Sequence, residues 1–580
     1  MKRNWLYSTL AVVAIAAFVL TACGTPATPT SAPPAAPTEA PAETEAPAPT
    51  EAPAPTEAPP TEPPPAERKV ATFIWTQEFD ILNPYYTGMW FSMITQQLWN
   101  CWAWDFDDQS NPHPVLVTEM PSLDNGGISE DGTVITMKLR DDILWSDGTP
   151  ITSEDFVFTY EMVTDPGNAV ASAYPYEDFV SVEAPDPQTV VITFAEPFAS
   201  WQATMWNGLM PKHVLQPVFD AEGTIDNAPW NLEPTVGCGP FIFDEWESGS
   251  FARFLANENY WLGRPKLDEI FIRFVPDDAA QVQALLAGDG DLGTFMAYSD
   301  VPTLEEAGVQ IFAVPSGYNE GWFFRVDELG HPAARDVRVR QAIAMGFDRF
   351  AINEDLLLGL TVPAVTYWDN MPYANPDLEA WPYDPEAAAA LLDEAGWIDS
   401  NGDGVRDKDG EELVLVHGTN QREIRKDVQA VAQQQLAEIG VQLELQNFDS
   451  DIYFASFGEG GVRYTGDLDI FQYSSRPAYP DPDTSRFMCD QIPTDEAPDG
   501  ANDMGLCDEE LDALFDLQVT QVDFAARQQT FWEISEIIFE NVYWLGVWQD
   551  PDLFAIGPRI KNAKLSGATP FFNIAEWDME

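Results

Sequence analysis

The stretch from Asp131 to Pro166, DGTVITMKLRDDILWSDGTPITSEDFVFTYEMVTDP, constrains the fold of this chain more than any other. Val134 to Leu139 alternates apolar and polar side chains, which predicts a β-strand. Asp147-Gly148 predicts a tight turn, because glycine enters the positive-φ region that such turns demand. Thr152 stands where a helix N-cap belongs. Glu154 and Asp155 fill the first turn, where the positive end of the helix dipole favours them. Phe156, Tyr160 and Val163 follow at helical spacing and give that helix one apolar face. The residues alone predict a strand, a turn and a capped helix.

The same reading extends along the chain. Ala71–Trp75 predicts a first strand, Tyr174–Phe198 alternating strands, and Ile270–Phe274 another. A helix from Asp277 to Ala287 ends at Gly288, and Tyr383–Gly396 is a helix with Asp384 as cap and Pro385 in the first position. Glu423–Ile439 is an amphipathic helix, followed by a strand at Val441–Leu445. With 580 residues and 45% hydrophobic content there is material for two or three domains with a sizeable core. The formal charge of -67 excludes a nucleic-acid partner, whose phosphates it would repel. Solubility, or life in a saline medium, accounts for such a surface.

The N-terminus is a targeting segment. Lys2 and Arg3 precede the apolar run Leu10–Leu20, and Leu20-Thr21-Ala22-Cys23 resembles a bacterial lipobox. The run is short for a membrane span of roughly 20 apolar residues. That favours cleavage before Cys23 and lipid attachment to its thiol over an uncleaved helix or a chance cysteine. Residues 26–66 are almost wholly Ala, Pro, Thr and Glu, a composition that buries no core and predicts an extended tether. At about 3.1 Å per residue it reaches on the order of 100 Å from a membrane. Four further cysteines suggest two bridges in an oxidising compartment. Cys489 and Cys507 are near in sequence and flank an acidic loop, which pairs them; Cys101 with Cys238 follows by subtraction.

The segment LRDDILWSDGTPITSEDFVFTYEMVTDP resembles the signature of the family 5 extracellular solute-binding proteins of ABC importers, the peptide-, oligopeptide- and nickel-binding type. The resemblance spans about Lys69 to the C-terminus. It includes EFDILNPYY (78–86), MPKHVL (210–215), TVGCGPF (235–241), NENYWLGRPKLDEIFIRFVPDDAAQVQALLAGDGDL (257–292) and HPAARDVRVRQAIAMGFDR (331–349). It implies an α/β fold of the periplasmic-binding-protein-like type II (cluster C), with two lobes, an extra inserted domain and mixed β-sheets flanked by helices. The implied boundaries are a lipoprotein signal and lipobox at 1–23 and a tether at 24–67. A base domain takes 68–105, 232–317 and 548–580, an inserted domain 106–231, and a third domain, the second lobe, 318–547.

Site residues follow from the same resemblance. In peptide-binding members the Glu matching Glu78 lies beside the ligand, and Trp322 opens a third matching region. The strand and loop at 469–483 line the cleft in the family, which makes Tyr473, Arg476, Tyr479 and Asp481 candidates. Peptide receptors place an Asp three residues before the acidic-Pro pair to hold the peptide's α-ammonium. Ala478 stands there in this chain, and Ser475 at a neighbouring Trp position. Arg338 and Arg340 resemble an anion site, but within the family motif they are expected to pair with Asp336 and Asp348. DSNGDGVRDKDG resembles a calcium loop with Asp399, Asn401, Asp403 and Asp407 as oxygen ligands and Gly404 in sixth place. Its twelfth position is Gly410 where a Glu belongs, so a plain hairpin is the alternative.

The function implied is a receptor that captures a solute between two lobes and delivers it to an ABC permease. The expected protein is a monomer that touches the membrane only through its lipid, on the outer face of the cytoplasmic membrane or in the periplasm. Peptide is the expected solute and oligosaccharide the rival, with 20 tryptophans as possible stacking platforms. A glycosidase would need two facing carboxylates, which acidic residues spread along the whole chain neither support nor exclude. No G-x-S-x-G, Walker A or H-E-x-x-H pattern occurs, the four histidines are widely spaced, and no resident cofactor is expected beyond the possible calcium.

Overall fold

The computed structural model describes residues 68–475 and 481–580. The leader with Cys23, the tether, and Arg476, Ala478 and Tyr479 lie outside the described residues. A ten-stranded mixed sheet organises the described part. At its centre two long strands, Gln310–Phe324 and Trp544–Ile556, run antiparallel to each other. At one end of this pair, Ile556 and Ala555 pair with Leu292 and Gly293, which continue through Val70–Trp75, Glu269–Phe274, Phe251–Ala256 and Phe241–Glu247. At the other end, Asn319–Phe324 pairs with Ile470–Ser475, which leads to Val414–Asn420 and Gln442–Phe448.

The hydrophobic cores follow that division. One large cluster takes its side chains from residues between Ala71 and Leu292 and between Phe554 and Trp577. Two others lie between Trp322 and Trp548. The long strands feed both sides: Val314, Phe554 and Ile556 enter the first, Trp322, Phe324, Val547 and Trp548 the second. Between these ends the ladder is interrupted. Val314 faces Asp552 and Tyr318 faces Asp550, so Pro315-Ser316-Gly317 opposes Pro551 alone. Two prolines withhold donors from the ladder, and Gly317 adopts a φ of 77°.

The stretch from Asp131 to Pro166 folds as its residues predict. Val134–Lys138 joins Thr189–Phe194 and Phe179–Asp186 in a three-stranded sheet. Gly148 turns with a φ of 88°, and the helix Ser153–Thr164 begins with Asp155 accepting from the Thr152 amide at 2.9 Å. Other boundaries shift by one to three residues: Asp278–Ala287, Pro385–Glu394 and Glu423–Glu438 are the helices, and Gln442–Phe448 is the strand after the last. Arg338 pairs with Asp336 at 2.7 Å as expected. Arg340 does not pair with Asp348. It is buried and donates to the carbonyls of Asn541 and Ala334, while Asp348 caps the helix Arg349–Asp355. Carbonyls at a helix end supply the acceptors that a carboxylate was expected to supply.

Both bridges are present, Cys101–Cys238 and Cys489–Cys507. The first closes a separation of 137 residues, a constraint on the unfolded chain of about 4–5 kcal/mol in the chain-entropy account. It lies where Gly237 and Gly239 pass the end of the helix Trp90–Trp99. The carbonyl of Trp99 accepts from the amides of Cys238 and Gly239, both at 2.9 Å. A Cβ on Gly237 would sit 2.1 Å from that oxygen. The glycines here supply proximity of two backbones, with no unusual φ. Gly237→Ala should therefore lower stability by about 3 kcal/mol, read from denaturant unfolding followed by tryptophan fluorescence. Gly88→Ala, with nothing within 4 Å of the added carbon, should stay within about 0.5 kcal/mol of the parent.

Candidate ligand-binding cleft

Three cavities line up along the boundary between the two sets of cores. The largest, about 720 Å³, is walled by Phe295, Tyr298 and Leu553 on one side and by Arg422, Ser474 and Asp550 on the other. Tyr318, the first residue after the interruption in the long strand, closes one end of it and also lines the next cavity, of about 400 Å³. That middle cavity has Trp90, Trp102, Asn207 and Pro570 in its walls and contains no charged side chain. Through Phe106 and Ala203 it adjoins a third cavity of about 200 Å³, bounded across the cleft by Tyr373, Asp481 and Phe524. Shared wall residues make the three a single path.

Around Asp550, polar groups of the largest cavity form a connected set, with Glu423, Asp427 and Asp552 as further carboxylates in its walls. Arg422 pairs with Asp550 at 3.1 Å, Ser474 donates to the same carboxylate oxygen at 3.0 Å, and Trp548 donates to the other at 3.0 Å. Burial works against the charge of Arg422, but Asp550 and Glu320 more than offset it and hold the guanidinium above its ordinary pKa. The Tyr298 hydroxyl is buried beside this pair with no hydrogen-bond partner among the described residues. Burial first, and Asp550 second, push its pKa up. Below the cavity floor Arg425 grips Glu320 with two hydrogen bonds, 2.7 and 2.8 Å, and Gln472 donates to Glu320 at 3.1 Å. The pair ties the helix Glu423–Glu438 to the long strand Gln310–Phe324 and to Ile470–Ser475. Both charges are buried, so they stabilise only as a pair. Aromatic faces, hydroxyls and one partly exposed ion pair suit the wall of a binding groove.

The residues expected from the sequence scatter relative to this groove. Asp481 lines the smallest cavity, but its carboxylate is engaged by both terminal nitrogens of Arg527. Burial pushes that carboxyl up and the Arg527 guanidinium counteracts the shift. Glu78 accepts from the Trp246 indole at 2.8 Å and the Gly249 amide at 2.9 Å and lines none of the three cavities. Tyr473 is buried, stacked on Phe323 with ring centroids 4.4 Å apart, and donates to Asp503 at 3.0 Å. Trp322 is fully buried, stacked 4.8 Å from Phe347 and against His417, with its indole donating to Gln472. Most other tryptophans among the described residues are likewise buried, so their number supplies no row of exposed stacking surfaces.

The acidic turn at 399–410 is held by hydrogen bonds of its own side chains. Asp399 accepts from the amides of Gly402 and Gly404, Asn401 bonds to Asp403, and Asp407 accepts from Ser400. The chain leaves this turn as the hairpin Asp407–Lys408 with Glu411–Glu412. Among the described residues no three acidic, histidine or cysteine side chains come close enough to hold a metal. Arg422, Asp550, Tyr298, Tyr318 and Phe295 were not expected from the sequence. Their only local signal is the run of Pro315, Gly317 and Pro551 that breaks two otherwise apolar strands.

His417 offers a direct check on the core behind the cleft. It is fully buried, and burial alone lowers its pKa from 6.5 to about 3. The unfolded chain binds this proton from about pH 6.5 downward and the folded chain only near 3, so the residue costs stability as pH falls through that window. The slope is about 1.4 kcal/mol per pH unit. His417→Leu should remove this component, seen as a shallower loss of stability between pH 6.5 and 4 than in the parent.

Residues 111–491 match the family model for the bacterial extracellular solute-binding proteins, family 5. The chain is 29% identical over 431 residues to a putative ABC transporter peptide-binding protein of Brucella ovis, covering 73% of this chain and 77% of that one. It is 30% identical over 354 residues to the oligopeptide-binding protein AppA of Bacillus subtilis, covering 59% of this chain and 62% of that one. The solved structure of AppA with a nonapeptide superposes with a TM-score of 0.60 at 23% identity, over 88% of this chain and 99% of that one. The chain belongs to the family 5 extracellular solute-binding proteins, and its fold is theirs.

Proposed function

We propose that this member of the family is the receptor of an ABC importer, and that it captures an oligopeptide-like solute in the cleft and delivers it to a membrane permease. The observation that carries this reading is the path of three cavities between the two sets of cores, centred on Tyr318 beside the break in both long strands. A groove of this length suits an extended chain better than a compact metabolite. The names of the relatives from Brucella ovis and Bacillus subtilis support peptide as the solute.

Capture proceeds by hinge closure. The two halves of the sheet hang on opposite ends of the same two strands, so bending at 315–317 and at Pro551 moves one wall of the groove against the other. That break lies at the expected domain boundary near 317, which supports the division into a base of 68–105, 232–317 and 548–580, an insertion of 106–231 and a second lobe of 318–547. Contacts from both walls shift the balance only if the closed state binds the solute more tightly. At one end Arg527 donates across the cleft to the carbonyl of Ala199 at 3.3 Å, a contact that opening breaks. The remaining assignments are lipid attachment at Cys23 and a tether that gives the receptor reach.

Native mass spectrometry of the purified protein should show a bound peptide, and a peptide at 100-fold over its dissociation constant should stabilise the fold by about 2.7 kcal/mol. Scattering should contract on binding. If oligosaccharides raise the melting temperature and no peptide does, the solute assignment is wrong.

A further inference from the structure

The cavity of about 200 Å³ at the end of the groove differs chemically from the rest. Phe106, Pro112, Ala203, Pro372, Tyr373 and Phe524 give it largely apolar walls on both sides of the cleft, beside the uncharged polar side chains of Ser110, Asn111 and Gln202. Its single carboxylate, Asp481, is already matched by Arg527, whose side chain is only 4% exposed. A cationic group entering here would compete with a buried guanidinium and leave it uncompensated, and an anionic group would meet Asp481. A neutral group does neither.

The aromatic wall is held in place before any solute arrives. Arg527 donates to the Tyr373 hydroxyl at 3.0 Å and lies 5.1 Å from the centre of the same ring. Phe531 and Phe524 pack on that ring at 4.9 and 5.3 Å. Phe524 remains 38% exposed at the rim, with surface left for a solute to cover. An apolar cavity of roughly 150 Å³ accommodates a benzene ring, and this one is larger.

We infer that this cavity is a side-chain subsite, and that the receptor prefers peptides carrying a phenyl-sized apolar residue at the position that reaches it. The inference rests on the peptide reading of the cleft. Titration calorimetry with penta-alanine, and with its five variants carrying one Phe each, tests both. At one position Phe should tighten binding about tenfold over penta-alanine, whereas Lys or Glu at that position should not. Within the variant Ala199→Phe, which fills the cavity, that gain should vanish. Phe524→Ala, a change at the half-exposed rim, should reduce the gain to about threefold or less, and decides the matter if Ala199→Phe does not fold. If every Phe peptide binds no better than penta-alanine, or the gain survives both substitutions, the subsite is wrong and the peptide reading stands. If no peptide binds at all, both fall.

Discussion

Two long antiparallel strands carry both halves of this protein, and their ladder is broken in the middle. A continuous ladder of thirteen to fifteen residues would make the sheet one stiff body. Pro315-Ser316-Gly317 and Pro551 interrupt the ladder in the middle, while pairing resumes on both sides, with a bulge at Val547 on the side of Trp544. Strength at the ends fixes each half to its own core. The gap between them creates the cleft and leaves Tyr318 and Asp550 at its centre.

Electrostatics in the chain are divided in the same spirit. The surface carries the large negative excess, which the solvent screens. Inside, three carboxylates are matched by guanidinium groups, Glu320 with Arg425, Asp481 with Arg527 and Asp503 with Arg463, while Arg340 and Arg349 donate to backbone carbonyls. With so few basic residues in the chain, several of its arginines are spent on such pairs. Each locks elements that are distant in sequence, and two of them stand immediately behind the groove walls.

Legibility from sequence followed the range of the interactions. The capped helix Ser153–Thr164, the turn at Gly148 and the helix Pro385–Glu394 depend on neighbours within a few residues, and pattern alone locates them. The resemblance led to the family. The site was harder. Alternation puts Trp322 on the same face of its strand as Tyr318, four residues earlier, yet Phe347 and His417 cover the Trp322 ring while Tyr318 lines the cavity. Asp550 and Arg422 lie 128 residues apart, and nothing local marks either. The acidic turn at 399–410 reads two ways, because the residues that ligate calcium are also those that cap tight turns.

By itself the sequence determined the family, the pairing of four cysteines in two bridges, and the position of most helices and strands. These rest on local propensity, capping and spacing, which the chain expresses without knowing its neighbours. Which carboxylates are neutralised, which aromatics face solvent and where the sheet bends were decided by tertiary structure alone. Each of those depends on groups brought together from opposite ends of the chain, and on whether burial leaves them a partner.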